Sequence, residues 1–91
     1  MKILKFYTQS CSQCKQQDRL LKDFTDIEIV PVDCDENEDL VDLYSIRSLP
    51  TLILIDNNKV ISRHTGITQV DVIKNELIAH INSVCDAQVP A

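Results

Sequence analysis

Ile3-Leu4-Lys5-Phe6-Tyr7, Thr8-Gln9-Ser10 and Cys11-Ser12-Gln13-Cys14-Lys15-Gln16-Gln17-Asp18-Arg19-Leu20-Leu21 run in order as an apolar strand, a short polar loop and a helix. The loop delivers Cys11 to the helix start. There the first-turn N–H groups lack intrahelical partners and the dipole presents partial positive charge. That setting stabilises a thiolate, the reactive form of cysteine. Cys14 lies one turn further in, close enough to close a disulfide with Cys11. Two readings of the pair stand at this level, a redox dithiol or half of a metal site. A metal would need two further ligands. His64 and His80 have the wrong spacing to supply them together, and Cys34 and Cys85 fall on distant elements.

Working outward, residues 2–7 read as a buried strand and residues 12–24 as a helix, with Cys14, Leu20, Leu21 and Phe24 near one face. Ile27 to Asp33 reads as a second strand, and Pro31, which has no N–H for a ladder, places it at a sheet edge. The acidic Asp35-Glu36-Asn37 heads a short helix to about Tyr44. Thr51 to Ile55 is a strongly β-type run, and Asp56-Asn57-Asn58 signals a hairpin into a strand over 59–64. Gly66 breaks that strand, and Thr68 is placed to cap a last helix to about Val84. Val70, Ile73, Leu77, Ile81 and Val84 form its apolar stripe. A strand–helix–strand unit followed by a hairpin predicts one four-stranded mixed sheet, first strand central, with three helices on two faces. Residues 1–91 read as a single domain with 85–91 as its tail.

Composition narrows the function. The chain has 91 residues, 44% hydrophobic and 25% charged, with a net charge of −5. The negative charge argues against nucleic acid and anionic membranes as partners. With one glycine there is no Gly-rich phosphate loop. No apolar run approaches the length of a membrane span, and the N-terminus lacks the pattern of a signal peptide. A cytoplasmic monomer is expected. The four cysteines are unevenly spaced beside ample Leu, Ile and Val, which disfavours a secreted disulfide scaffold.

The element order, Cys11-Ser12-Gln13-Cys14 after the first strand and Arg47-Ser48-Leu49-Pro50-Thr51 before the third resemble the thioredoxin superfamily, in a minimal form. The resemblance covers residues 2–84. It implies a thioredoxin-like α/β fold, Cys11 as attacking thiol, Cys14 as resolving thiol and a cis Pro50 beside them. It also implies that the backbone around Ser48 and Leu49 pairs with an extended substrate. The expected activity is reduction of protein disulfides without metal or organic cofactor, fed by a reductase or a small-thiol donor. The rivals are a non-enzymatic redox-sensing module that binds a protein, and a glutathione-dependent, glutaredoxin-like enzyme. The chain departs from the family's Trp-Cys-Gly-Pro-Cys, although Lys15 matches. Lys5 stands where the family has a buried Asp, and Pro31 where it has that Asp's Lys partner. The Gly-Gly-x-x-Asp glutathione motif has no match in Thr65 to Asp71.

Lys5 either lowers a thiol pKa from a buried position or carries its ammonium out to solvent. Asp33 is the nearest substitute base in sequence. Cys34 alternates with Val32 and Val30 and so points inward, as structural filler ahead of a regulatory thiol, and Cys85 either finishes the last stripe or is an exposed thiol. Tyr7 either flanks the disulfide or sits in the core. His64 and His80 read as surface or strand residues rather than ligands, and the acidic run from Asp33 to Asp39 as a solvated helix start.

Overall fold

A computed structural model describes residues 1–88, with side chains described as far as Ile81. β1 (Lys2–Tyr7), α1 (Ser12–Leu21), β2 (Glu28–Asp33), α2 (Glu38–Leu43), β3 (Thr51–Asp56), β4 (Lys59–Thr65) and α3 (Val70–Gln88) follow in chain order. The sheet runs β2-β1-β3-β4. β1 and β2 are parallel, joined through α1, while β1/β3 and β3/β4 are antiparallel. β2 is an edge, and exposed Pro31 opposes Lys5 there.

β3 is buried from Thr51 to Ile55 and β1 at Ile3, Leu4 and Phe6, so neither central strand shows a clean apolar–polar alternation. One core layer combines Ile3, Leu52 and Leu54 with Leu21 and Phe24 around α1 and Ile73 and Leu77 of α3. The other packs Leu4, Phe6, Val32, Ile53 and Ile55 against Leu40, Tyr44 and Ile46 on the α2 side. α1 and α3 therefore cover one face and α2 the other. Asn57 (φ 51°) and Asn58 (φ 66°) turn the β3–β4 hairpin in the left-handed conformation that asparagine tolerates.

The structure corrects four details. α1 stops at Leu21 rather than residue 24, though Phe24 stays buried through a turn closed by its N–H on the Leu21 carbonyl (3.0 Å). α3 starts at Val70, and the Thr68 hydroxyl donates to the Gly66 carbonyl (3.2 Å) instead of capping the helix. Ile81 leaves the buried stripe and is 49% exposed. α3 also extends through Gln88, so residues 85–88 are helical rather than a loose tail. The side chains of Val84 and Cys85 lie outside the described residues, as do residues 89–91. No helix among the described residues is long and apolar enough to cross a membrane.

Two histidine–carboxylate pairs tie α3 to the hairpin: His64 Nε2 to Glu76 (2.7 Å) and His80 Nε2 to Asp56 (2.8 Å). Burial pushes the Glu76 carboxyl up, but the His64 hydrogen bond and charge outweigh it, leaving the group below its ordinary value of 4.5. A depressed folded-state pKa stabilises the fold above the unfolded pKa, and that stability drains as pH falls through the folded value. Denaturant midpoints measured against pH are expected to show this acid limb in the wild type and its reduction in Glu76→Gln.

Candidate active site

Three loops meet at one end of the sheet. Thr51 pairs with Phe6 at the end of β1 and with Thr65 at the end of β4. The loops leaving β1, entering β3 and leaving β4 are thereby neighbours, at the carboxyl end of β1.

The first loop carries the dithiol. The Cys11 N–H closes a turn on the Thr8 carbonyl (3.2 Å), and Cys11 is the N-cap residue of α1 with φ −81° and ψ 105°. Cys11 and Cys14 are joined as a disulfide with Cα atoms 5.3 Å apart, and the Cys14 N–H points at Cys11 Sγ (3.1 Å). The side-chain oxygens of Ser, Thr, Asp and Asn are the preferred caps of this kind; here a sulfur takes the place. When the disulfide opens, a negative charge on that sulfur faces a backbone donor and the positive end of α1. Cys14 is 2% exposed, whereas Cys11 is only half-buried. An incoming sulfur therefore has access to Cys11, and Cys14 is reached from inside.

The second loop holds Ser48, Leu49 and Pro50. Pro50 is buried, Leu49 half-buried and Ser48 exposed, and the Leu49–Pro50 peptide bond is cis. The Thr51 hydroxyl donates to the Ser48 carbonyl (2.6 Å), and the Gly66 N–H donates to the Pro50 carbonyl (2.8 Å). The backbone N–H and C=O of Leu49 have no hydrogen-bond partner among the described residues. Arg63 steadies the loop from β4 by donating to the Tyr44 and Ser45 carbonyls at the end of α2. Ser45 takes the left-handed turn (φ 52°) that ends this helix, with the Ile46 N–H on the Val41 carbonyl (2.9 Å).

Lys5 takes the outward course. Its side chain is 14% exposed beneath α1, and its ammonium pairs with the half-exposed Asp18 carboxylate and lies 5.6 Å from the Tyr7 ring centre. In this ion pair the cation is on β1 and the acid on α1. Asp33 is buried, and its carboxylate accepts the Asp35 N–H (2.9 Å), which orders the start of the acidic loop. Cys34 packs against the α2-side core, and burial pushes its thiol up, as do Asp33 and Asp35, against the lowering hydrogen bond to the Tyr7 backbone. His64 and His80 are taken by carboxylates, and the described residues hold no cluster of three metal-ligating side chains.

The sequence reading missed Gln17, which is wholly buried, and the roles of Asp18 and Arg63. The available signal was a polar residue on the Cys14 face of α1. An apolar groove of about 480 Å³ lined by Met1, Ile27, Leu77, Ile78 and Ile81 lies at the opposite end of the sheet.

The thioredoxin family model matches residues 1–80. Plasmodium falciparum thioredoxin 2 is 36% identical over 84 residues, covering 87% of this chain and 51% of that protein. Drosophila yakuba thioredoxin-1 is 29% identical over 69 residues, covering 70% of this chain and 64% of that protein. A much longer Schizosaccharomyces pombe relative is 42% identical over 72 residues, of which this chain spans 14%. The chain thus spans less than two thirds of these curated relatives. Among solved structures, thioredoxin 1 of Thermosipho africanus superposes with a TM-score of 0.75 at 26% identity, covering 92% of this chain and 98% of that one. With the family match extending from the first strand into the last helix, this chain belongs to the thioredoxin family.

Proposed function

We propose that this chain is a thiol–disulfide oxidoreductase that reduces protein disulfides through Cys11 and Cys14. The observation that carries the reading is the asymmetry of the pair: a half-buried Cys11 at a helix N-cap and a 2%-exposed Cys14 behind it. The Cys11 thiolate attacks one sulfur of the substrate, forming a mixed disulfide and expelling the other sulfur as a thiolate. The Cys14 thiolate then attacks Cys11 Sγ, releasing the second substrate thiolate and leaving Cys11–Cys14 oxidised. Two electrons pass to the substrate, and a reductase or small thiol returns them. The reaction suits a reducing compartment, and we place it in the cytoplasm with the chain acting as a monomer. Ser48, Leu49 and Pro50 form the groove for an extended substrate. The unpaired backbone groups of half-buried Leu49 make that residue the pairing position, because the Ser48 carbonyl is already taken by Thr51.

Insulin reduction with alternative donors tests the reading. Activity with a dithiol or reductase is expected; activity only with glutathione favours a glutaredoxin-like enzyme, and none with any donor favours a binding module. Alkylation of the reduced protein near neutral pH is expected to label Cys11 first. Cys34, raised by burial, should lag behind. Preferential labelling of Cys14 overturns the assignment.

As half of a pair with Asp18, Lys5 exerts only a weak field on the thiols. It also offers Cys14 no base while protonated. Lys5→Asp sets two carboxylates together, so one keeps its proton into a higher pH range and can relay protons. Release of the mixed disulfide is expected to be faster than in wild type below neutral pH. Equal rates between about pH 6 and 9 would show that position 5 is merely tolerated.

A further inference from the structure

Gln17 follows Cys14 by one helical turn and sits on the same buried face of α1. Its side chain is wholly buried, which for an amide is tolerable only when its polar atoms are satisfied. They are satisfied by a single residue distant in sequence. Gln17 Nε2 donates to the Thr68 carbonyl (2.9 Å), and the Thr68 N–H donates to Gln17 Oε1 (2.7 Å). The amide thus closes a two-point clasp on one peptide segment, as a neighbouring strand would.

The clasp connects to the site. The Thr68 hydroxyl donates to the Gly66 carbonyl (3.2 Å), the Gly66 N–H donates to the Pro50 carbonyl (2.8 Å), and the Thr51 hydroxyl donates to the Ser48 carbonyl (2.6 Å). A chain of hydrogen bonds joined by peptide links therefore runs from the dithiol helix through Gln17 and the Gly66–Thr68 segment to the Ser48–Thr51 loop. Ile67, held between Gly66 and Thr68, is 42% exposed. The segment 66–69 has no regular secondary structure of its own, so the clasp is its principal anchor to α1.

We infer that Gln17 is a positioning residue that fixes the Gly66–Thr68 segment against the dithiol helix and so sets the affinity for extended polypeptide disulfides. This rests on the oxidoreductase reading above. A loop released from its clasp must be re-ordered when a polypeptide binds, which weakens binding without altering sulfur chemistry. The disulfide's own N-cap geometry is local to Cys11 and Cys14 and does not pass through Gln17.

The test compares insulin, a polypeptide disulfide, with cystine, a small one. Gln17→Leu is expected to raise KM for insulin about tenfold, with kcat and cystine reduction changed less than about twofold. Gln17→Glu supplies the rescue. A buried carboxyl is held neutral at mildly acid pH, where it donates and accepts like the amide, and ionises as pH rises. Its insulin KM is expected to match wild type near about pH 5.5 and to exceed it about tenfold near about pH 8, each compared with wild type at the same pH. Should Gln17→Leu fail to fold, this profile decides alone. Equal losses on both substrates, or an unchanged KM in folded variants, overturn the inference. A wild type inert on both substrates refutes the oxidoreductase reading instead. Amide hydrogen exchange at Gly66 and Thr68 then judges the clasp without activity: pH-dependent loss of protection in Gln17→Glu supports it, and wild-type protection overturns it.

Discussion

Cys11→Ser is expected to lower insulin reduction by roughly 10³-fold or more, to the rate of the donor alone, because a hydroxyl at that position is neither ionised at neutral pH nor able to form the mixed disulfide. The fold should survive. Cys11 is half-buried at a helix N-cap, and a serine oxygen accepts the Cys14 N–H at least as well as sulfur does. Cys14→Ser should give the complementary result. Cys11 still attacks, but nothing inside the chain resolves the adduct, so a covalent complex between Cys11 and substrate accumulates to one equivalent. Intact mass measurement before and after reduction reads both outcomes. Retained turnover in Cys11→Ser, or an adduct on Cys14 in that variant with normal kinetics, would reverse the roles of the two sulfurs. The asymmetry of burial argues against that reversal, since an attacking sulfur that is 2% exposed has no straight approach to a protein disulfide.

The largest loss of stability should come from Phe6→Ala. Phe6 is fully buried in the central strand, in the layer shared with Val32, Ile53 and Ile55. Its ring meets the Tyr44 ring edge-on, with centroids 5.8 Å apart and planes at 64°. Truncating such a side chain costs about 3–5 kcal/mol from lost transfer energy and the cavity left behind. Small domains hold only about 5–15 kcal/mol in total. For a domain this size each kcal/mol lowers Tm by roughly 4–8 °C, so a fall of some tens of degrees is expected by calorimetry. The change should also reach the site. Tyr44 ends α2, and its carbonyl takes one of the two Arg63 bonds that hold the strap leading to Pro50. Phe6→Leu, which keeps most of the apolar volume, should lose much less. A loss under about 1 kcal/mol for Phe6→Ala would mean that the α2-side layer repacks freely.

Much of this protein is local, and local features are legible in sequence. The Cys11–Cys14 spacing, set between an apolar strand and a helical stretch, puts two sulfurs on successive turns at a helix start. Pro31 alone consigns β2 to an edge, because a residue without an N–H cannot serve two ladders. Asn57 and Asn58 alone mark a turn that needs positive φ, and the strongly β-type run from Thr51 to Ile55, apolar from Leu52 onward, marks a strand covered on both faces. From these the order of elements and the position of the dithiol follow. What tertiary structure decided are pairings between residues far apart in the chain. Gln17 carries no signal of its role in the sequence until Thr68, 51 residues later, is seen satisfying both ends of its amide. Lys5 reads equally as buried cation or snorkelling stem until Asp18 takes its ammonium. Arg63 reads as an exposed strand residue until the end of α2 comes within its reach. Ile81 keeps the helical period yet is exposed, because period fixes the face on which a side chain lies and not how far the partner surface extends beneath it. Periodicity and spacing encode what a segment does with its own neighbours. Which polar group satisfies another across the fold is set only when packing brings their elements together.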